Sequence, residues 1–304
     1  MTELTTIFLN ILEPYKELVE SHLFENIQDL GQKTLLREAC DYALRTGGKR
    51  FRPALVFMIA KGLGYGVDVS QAALGIEYFH TASLIADDLP CMDNDEERRN
   101  QQTVHKKFGE SVALLSTYAL IAAGYRCIVN NTRALINSAH PLAHQSDHLC
   151  VLAIENATHN TGIQGATGGQ LLDLFPPDQS IETLFEVIDK KTVSLFEISF
   201  VFGWIFGGGD LSKLKTVKQS AAHFGRAFQI ADDLEDQEQD TLNRSSVNIA
   251  NRLGTNQALE LFHREIKDFE QTLQELSFHS KDLQALASLI VQRVDQCTQS
   301  CVKL

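Results

Sequence analysis

The sequence predicts an all-α fold, a single-domain bundle of about ten helices. Almost every long segment repeats its apolar residues with helical period, and the alternation typical of half-buried strands is scarcely found. The breaks at 137–147, 173–180 and 207–210 do not look like flexible linkers. Because no internal repeat is found either, we predict one domain over residues 1–304.

The first predicted helices follow one another closely. The stretch TLLREACDYALRT (34–46) places Leu35, Ala39 and Tyr42 on one stripe, and the two glycines after it end the helix. The next helix, PALVFMIAKGL, begins at Pro53, because proline is favoured at a first helical position.

A longer helix covers SQAALGIEYFHTASLIADD (70–88), and Pro90 ends it because proline cannot continue a helix. The remaining segments with helical period are 111–136, 146–166, 181–206, 212–236, 255–277 and 281–296.

Composition narrows the class of function. The net charge of −12 is opposite to the basic face that nucleic-acid binding requires, so we expect no nucleic-acid partner. No apolar run approaches the roughly eighteen residues of a membrane span, so we expect no stable membrane insertion. The six cysteines form no CxxC pair and the N-terminus has no basic leader, which favours a reducing, cytoplasmic location.

A first acidic cluster lies in SLIADDLPCMDNDEERRN (83–100). Asp87 and Asp88 end a predicted helix, and Pro90 turns the chain so that Asp93 can return toward them. Neighbouring carboxylates repel one another unless a cation lies among them. A solvated helix end is the alternative interpretation of such a run.

A second acidic cluster lies far downstream in FQIADDLEDQEQD (228–240). Asp232 and Asp236 are four residues apart and therefore share a helix face, with Asp233 beside them. In both clusters an Asp-Asp pair directly follows an apolar helix, which argues against two solvated ends. Oxygen ligands without paired His or Cys favour Mg²⁺ over zinc, and the spacing and missing glycine exclude a calcium EF-hand loop.

Cations lie where phosphate binding would require them. The stretch GGKRFRP (47–53) carries three of them at a predicted helix N-terminus, where free N–H groups already favour an anion: Lys49, Arg50 and Arg52. Arg98 and Arg99 follow the first acidic cluster. Two acidic and two cationic clusters suggest two phosphorylated substrates in one helical cavity, although a solvated basic loop could also explain GGKRFRP.

These motifs together resemble the short-chain trans-isoprenyl diphosphate synthases, the farnesyl and geranylgeranyl diphosphate synthases of bacterial and plant type. DDLPCMDND and DDLED resemble the two aspartate-rich motifs of that family. Further motifs occur in the family's order: FHTASLI, RR after the first motif, GGQLLD (168–173), KT (191–192), FQ (228–229) and ALASLIVQR (285–293). The resemblance spans essentially the whole chain and implies the isoprenoid synthase fold, with helices around a central cavity.

The resemblance also implies roles for individual residues. The implied Mg²⁺ ligands are Asp87, Asp93 and Asp232, with Asp88 and Asp236 as further candidates. The implied ligands of the allylic diphosphate are Arg98 and Lys191. The implied ligands of isopentenyl diphosphate are Lys49, Arg52, His80 and Arg99. Thr192 and Gln229 would stabilise the carbocation, so that Lys191, Thr192 and Gln229 form the implied catalytic set.

Product length is expected to depend on the helix that carries the first motif. Ala82, five residues before Asp87, is small and would leave the cavity floor open, whereas Phe79 would stop the product tail about one turn deeper. This pattern favours geranylgeranyl diphosphate, with farnesyl diphosphate as the alternative. The floor could also be set by another side chain, with Ala82 facing a neighbouring helix.

Three departures from the family pattern leave a non-catalytic regulatory subunit as a further alternative. The lysines expected after the second motif are absent from NRSSVNIANRLGTNQ, where Arg244 or Arg252 could substitute. The family's GD is replaced by Thr117-Tyr118, and RRG.PT.H is replaced by RRNQQTVH. The family also suggests a homodimer formed through long helices.

Overall fold

The computed structural model describes residues 3–237 and 248–301, with side chains described for 10–237 and 248–297. The helices of the first half are α1 (Glu3–Asn26), α2 (Leu35–Arg45), α3 (Phe51–Leu63), α4 (Ser70–Asp87), α5 (Val104–Phe108) and α6 (Glu110–Ile136). Those of the second half are α7 (Ser146–Thr161), α8 (Ala166–Leu174), α9 (Ile181–Ile188), α10 (Ser194–Gly207), α11 (Leu214–Glu235), α12 (Ile249–Leu253), α13 (Thr255–Leu276) and α14 (Lys281–Cys301). The all-α prediction is confirmed, with twelve described helices of at least eight residues.

The core is built around α10. Every residue of α10 except Glu197 is buried, because the helix is apolar all round and α3, α4, α7 and α11 surround it. This first core cluster continues into α13 and α14. A second core cluster joins one face of α4 to α2 and α6. Helix α4, which ends at the first acidic cluster, therefore contacts both core clusters.

Helix α1 is absent from our sequence prediction. Its inner side is a stripe of buried residues at helical spacing, namely Leu12, Tyr15, Val19 and Leu23. This period is visible in the sequence and could have predicted the helix. Pro14 interrupts the pattern and lies inside the helix.

Two predicted helix boundaries are wrong. The segment 146–166 is not one helix, because α7 ends at Thr161 and an extended Gly162 turns the chain into α8. A β-carbon at Gly165 would lie 2.0 Å from the carbonyl oxygen of Asn160, so this turn folds tightly onto the end of α7. Helix α3 begins at Phe51 rather than at Pro53, which is tolerated because the N–H groups of a first turn need no helical partner.

The prediction that no apolar run is long enough for a membrane span is wrong, because α6 is such a run. By length and composition alone it could cross a membrane, although less than half of its apolar window is buried inside the protein. It packs against α4, as the core helix of a globular protein also would. The absence of membrane insertion stays a prediction.

A short hairpin follows the first acidic cluster. Glu97–Arg98 pairs antiparallel with Gln101–Gln102. The two connecting residues have positive φ, 54° at Arg99 and 60° at Asn100, as a type I′ turn requires. Asparagine tolerates this backbone region better than most residues, which explains how RRN can replace the family's RRG.

Candidate active site

The first acidic cluster is formed by the end of α4 and the loop that follows. The backbone N–H of Asp93 donates to the carbonyl of Asp87 at 2.9 Å, so the chain does turn back toward the helix end. Burial raises the pKa of Asp87 to about 6, and the neighbouring Lys191 only partly offsets this effect. Burial also raises the pKa of Asp93. Among the described residues neither carboxylate has a hydrogen-bond partner, so both are available to a ligand.

Asp88 has a different environment from Asp87. It is 3% exposed, and the Arg98 guanidinium holds its carboxylate, with Nε 2.8 Å and Nη2 2.5 Å from Oδ1. A carboxylate engaged in this way is a poor candidate for a metal ligand. This contact favours a positioning role for Asp88 toward Arg98, and its place among the metal ligands stays a prediction.

The second acidic cluster repeats this division of roles. Burial raises the pKa of Asp232 to about 7, although Lys49 acts to lower it. The neighbouring Asp233 is buried and occupied, because it accepts from the Gln229 amide at 2.8 Å and from the Ile249 N–H at 2.7 Å. Asp236, one turn further on, is exposed. In each Asp-Asp pair the first carboxylate has no hydrogen-bond partner in the described chain, whereas the second accepts hydrogen bonds from neighbouring groups of the protein.

A π-helical turn at Asp189–Val193 carries Lys191 and Thr192. Such turns redirect side chains and often lie at functional sites. A β-carbon at Gly169 would lie 2.4 Å from the backbone N of Lys191, so only glycine lets α8 pack this closely. Lys191 forms an ion pair with Asp173 at 2.5 Å, and Asp87 helps to raise its pKa.

A polar chain connects this turn to the second acidic cluster. The Thr192 hydroxyl donates to the Gln229 amide oxygen at 2.9 Å, and the Gln229 amide nitrogen donates to Asp233. Asp233 thereby fixes which end of the amide faces Thr192. The structure brings Thr192 and Gln229 together, as a shared role requires.

The cationic residues converge at the N-terminal end of α3. Arg52 Nη1 lies 3.4 Å from His80 Nε2, and the guanidinium stacks 4.9 Å from the centre of the Phe196 ring. The Arg99 guanidinium donates to the Gly47 carbonyl. A β-carbon at Gly48 would lie 2.6 Å from this guanidinium, which explains the second glycine of GGKRFRP.

This cationic site has unused hydrogen-bonding capacity. Arg52 Nε and His80 Nδ1 are buried and have no partner within the described part of the chain. Burial lowers the pKa of Arg52 to about 10, and burial together with the nearby arginines lowers the pKa of His80 well below 6.5. His80 is therefore neutral at pH 7. Buried polar atoms without partners are uncommon in proteins, and a bound anion would satisfy them here.

Sequence reasoning missed three residues of this region. Asp173 and Gln170 lie within GGQLLD, a motif we noted without assigning roles, and the Gln170 amide is buried without partners among the described residues. Glu77, on α4, is buried at the cationic site. Only its spacing of three residues before His80 indicated that it could face the same side of the helix.

Comparison with known proteins gives a consistent assignment. A family model for polyprenyl synthetase matches residues 33–248. The trans-prenyltransferase of African swine fever virus (isolate Pig/Kenya/KEN-50/1950) is 34% identical over 233 residues, covering 75% of this chain and 68% of the viral protein. Geranylgeranyl pyrophosphate synthase 4 of Arabidopsis thaliana is 37% identical over 208 residues, covering 66% of this chain and 53% of the plant protein.

Comparison with solved structures points to the same family of proteins. The geranyltransferase of Legionella pneumophila has a TM-score of 0.78 at 25% identity, covering 96% of this chain and 98% of that structure. The FPP/GFPP synthase of Zymomonas mobilis has a TM-score of 0.73 at 28% identity, with the same coverage. The chain belongs to the polyprenyl synthetase family. It is a prenyltransferase of the short-chain trans-isoprenyl diphosphate synthase group, with the isoprenoid synthase fold.

In this polyprenyl synthetase the cations that follow the second motif differ from the family pattern. Arg244 lies outside the described residues. Arg252 donates to the Gln179 carbonyl at 2.6 Å. Arg293 of α14 contacts Glu235 and, like Lys49, opposes the rise in the pKa of Asp232 that burial causes. The C-terminal helix therefore supplies a positive charge near the second acidic cluster.

The two product-length positions lie in different core clusters. Phe79 belongs to the first cluster, packs 5.0 Å from the Tyr125 ring and covers Gly124 of α6. Ala82 belongs to the second cluster and continues the stripe of Tyr78. The buried surface of α4 thus contacts both core clusters at these two positions, and their roles in setting product length stay a prediction.

Proposed function

We propose that this prenyltransferase condenses isopentenyl diphosphate with an allylic diphosphate, head to tail, in a Mg²⁺-dependent reaction. One observation carries the proposal. Asp87 and Asp232 have carboxylates without hydrogen-bond partners in the described chain, and burial raises the pKa of each. Arg52 and His80 carry buried nitrogens without partners there, and Arg98 lies close enough to lower the pKa of His80 while also acting to lower that of Asp87. Asp232 is close enough to Arg52 to raise its pKa, although burial outweighs this effect. Acidic and cationic subsites thus adjoin, as two diphosphates bound side by side would need.

The carboxylates suit Mg²⁺ held jointly with substrate. Within the described residues no three His, Cys, Asp or Glu side chains form a closed metal site. Mg²⁺ is commonly held by one or two carboxylates, waters and substrate phosphates, which matches Asp87 with Asp93 on one side and Asp232 on the other. When bound there, Mg²⁺ would neutralise charge on the leaving diphosphate.

The chain's own residues then have separable tasks. Lys191 and Arg98 would bind the allylic diphosphate; Lys49, Arg52, His80 and Arg99 would bind isopentenyl diphosphate. Fixed cations around the departing diphosphate favour ionisation of the allylic C–O bond.

The carbocation would form beside Thr192 and Gln229. The Thr192 hydroxyl donates a hydrogen bond to Gln229, so the lone pairs of the Thr192 oxygen stay free to stabilise positive charge. The isopentenyl double bond attacks the cation to form the new C–C bond. A proton is then lost to the released diphosphate.

We propose geranylgeranyl diphosphate as the product. The Arabidopsis relative named as a geranylgeranyl pyrophosphate synthase supports this choice, as does the bulky Phe79–Tyr125 pair below the first motif. Farnesyl diphosphate is the alternative, and the solved FPP/GFPP synthase supports that reading.

A turnover assay tests these alternatives. Purified protein is supplied with isopentenyl diphosphate, one allylic primer at a time and Mg²⁺, and products are identified by mass spectrometry. We expect a twenty-carbon diphosphate that disappears when a chelator is added. A product that stops at fifteen carbons would favour the farnesyl alternative. Absence of turnover with every primer would favour the regulatory-subunit alternative.

We also propose a homodimer built on α6 and α7. These helices pack together and expose apolar side chains at Leu114, Leu115, Tyr118, Val151 and Ile154. Tyr118, which is 60% exposed, replaces the aspartate of the family's GD pair and makes this face more apolar. In sedimentation experiments we expect wild type to be a dimer and Tyr118→Asp, which places a charge on this face, to be a monomer. A single domain over 1–304 and a cytoplasmic location remain part of the proposal.

A further inference from the structure

A buried carboxylate lies beside the proposed isopentenyl site, and the reaction described above does not use it. Glu77 of α4 is 2% exposed and lies three residues before His80. Its Oε1 accepts from Arg50 Nη1 at 2.5 Å. A buried charge is costly to the fold unless it is paired, so its position needs an explanation.

Arg50 connects this carboxylate to the loop that carries the cations. It is 3% exposed and has a left-handed backbone with φ 47° at the start of α3. For a residue other than glycine this conformation costs on the order of 1 kcal/mol, and surrounding contacts must impose it. Its guanidinium provides these contacts: Nε donates to Glu20 at 2.6 Å, and Nη2 donates to the Leu44 carbonyl.

The backbone turn at Arg50 affects two nearby cations. Lys49 directly precedes Arg50 and Arg52 follows two residues after it, so this turn decides where both side chains project. Glu77 and His80 share α4. The Glu77–Arg50 pair thus ties the loop bearing two proposed ligands directly to the helix bearing a third.

Glu77 also balances the positive charge of this region. Burial lowers the pKa of Arg52 and of Arg99, and Glu77 is the principal nearby charge that raises both. Arg50 and Arg98 lower the pKa of Arg99 further. Without Glu77, several guanidiniums would repel one another in a partly dehydrated space.

We propose that Glu77 is a positioning residue for the isopentenyl diphosphate site: it holds Arg50 and the 47–52 loop, and it keeps Arg52 and Arg99 convergent before the diphosphate arrives. The inference rests on the proposed function. It assigns no contact between Glu77 and substrate.

A purely electrostatic role and a positioning role for Glu77 predict opposite changes in the affinity for diphosphate when its charge is removed. Removing a negative charge beside an anion site should by Coulomb attraction alone strengthen diphosphate binding. If Glu77 acts by positioning, its neutral isostere should weaken binding, because the cations no longer converge. The direction of the change is therefore diagnostic.

The test compares Glu77→Gln with wild type by calorimetry, using isopentenyl diphosphate in metal-free buffer so that the acidic clusters contribute little. We expect Kd to rise about tenfold or more, the effect of losing one charge-assisted hydrogen bond. In steady-state assays the KM for isopentenyl diphosphate should rise similarly, while the KM for the allylic primer stays within about twofold. Glu77→Asp, which keeps the charge, should recover part of the affinity.

Glu265→Gln is a matched control, since Glu265 is a buried carboxylate that pairs with His223 at 2.7 Å on α11. It should lose stability without changing the ratio of the two KM values. If Glu77→Gln does not fold, Arg50→Lys takes its place in the test. Lysine keeps the charge but cannot contact Glu77, Glu20 and the Leu44 carbonyl together, so the same selective rise in KM for isopentenyl diphosphate is expected.

Unchanged or tighter binding in Glu77→Gln, or equal changes in both KM values, would overturn the inference. Failure of wild type to bind or turn over isopentenyl diphosphate would instead overturn the proposed function. The two failures are therefore distinguishable.

Discussion

Replacing Asp232 with asparagine should stabilise the metal-free protein while abolishing prenyl transfer. Burial raises the pKa of Asp232 from 3.8 to about 7, and Lys49 does not compensate. Each pH unit corresponds to ~1.4 kcal/mol, so the ionised carboxylate costs the fold about 4 kcal/mol above pH 7. A carboxyl whose pKa is raised in the folded state binds its proton more tightly there than when unfolded. The cost is therefore absent below the unfolded pKa of 3.8 and complete above about pH 7.

Urea unfolding with a chelator present measures this effect. Because asparagine does not titrate, the stability advantage of Asp232→Asn should grow by roughly 2–3 kcal/mol between about pH 5 and pH 8. Asp236→Asn is the control, since Asp236 is exposed one turn away and should change stability by less than about 0.5 kcal/mol. Addition of Mg²⁺ with a diphosphate should stabilise proteins that retain Asp232 more than it stabilises Asp232→Asn.

Two outcomes would refute this reasoning. An advantage that does not depend on pH would show that Asp232 is not a buried ionised group in the metal-free protein. Near-wild-type turnover by Asp232→Asn at saturating Mg²⁺ would show that the second acidic cluster has been misassigned.

Further outcomes follow from the same site. Arg52→Ala should raise the KM for isopentenyl diphosphate more than that for the allylic primer, and Arg98→Ala should do the reverse; equal effects in steady-state assays would contradict the two-site assignment. Phe79→Ala should lengthen the product by about one isoprene unit, read by mass spectrometry, because one helical turn rises about 5.4 Å. Ala82→Tyr distinguishes the two interpretations of Ala82: it should shorten the product to farnesyl diphosphate at unchanged stability if Ala82 lines the cavity floor, and it should destabilise the protein by about 1–3 kcal/mol through overpacking if Ala82 faces a neighbouring helix. Gly169→Ala should lower both stability and kcat, since its β-carbon would meet the backbone of the π-helical turn at 2.4 Å.

Most of the helices were predictable because their signal is local. Apolar residues at helical spacing and proline or glycine breaks identified α2, α4 and α6 within two residues of their observed ends. The same kind of stripe existed in α1, but Pro14 obscured it. The split between α7 and α8 escaped prediction because the apolar period continues across the turn at Gly162, and only the packing of Gly165 onto Asn160 shows the break.

The sequence by itself determined the chemistry of this protein: two pairs of aspartates after apolar helices, the cations of GGKRFRP, and the arginines after the first cluster. Tertiary structure decided how those groups divide their tasks. Asp87 and Asp88 are identical in chemistry and adjacent in sequence, yet only Asp88 lies within reach of the Arg98 guanidinium. Pairings such as Lys191 with Asp173 and Arg50 with Glu77 join residues 18 and 27 positions apart. No periodicity encodes such pairings, because they depend on how separate helices pack and on which side chains that packing removes from water.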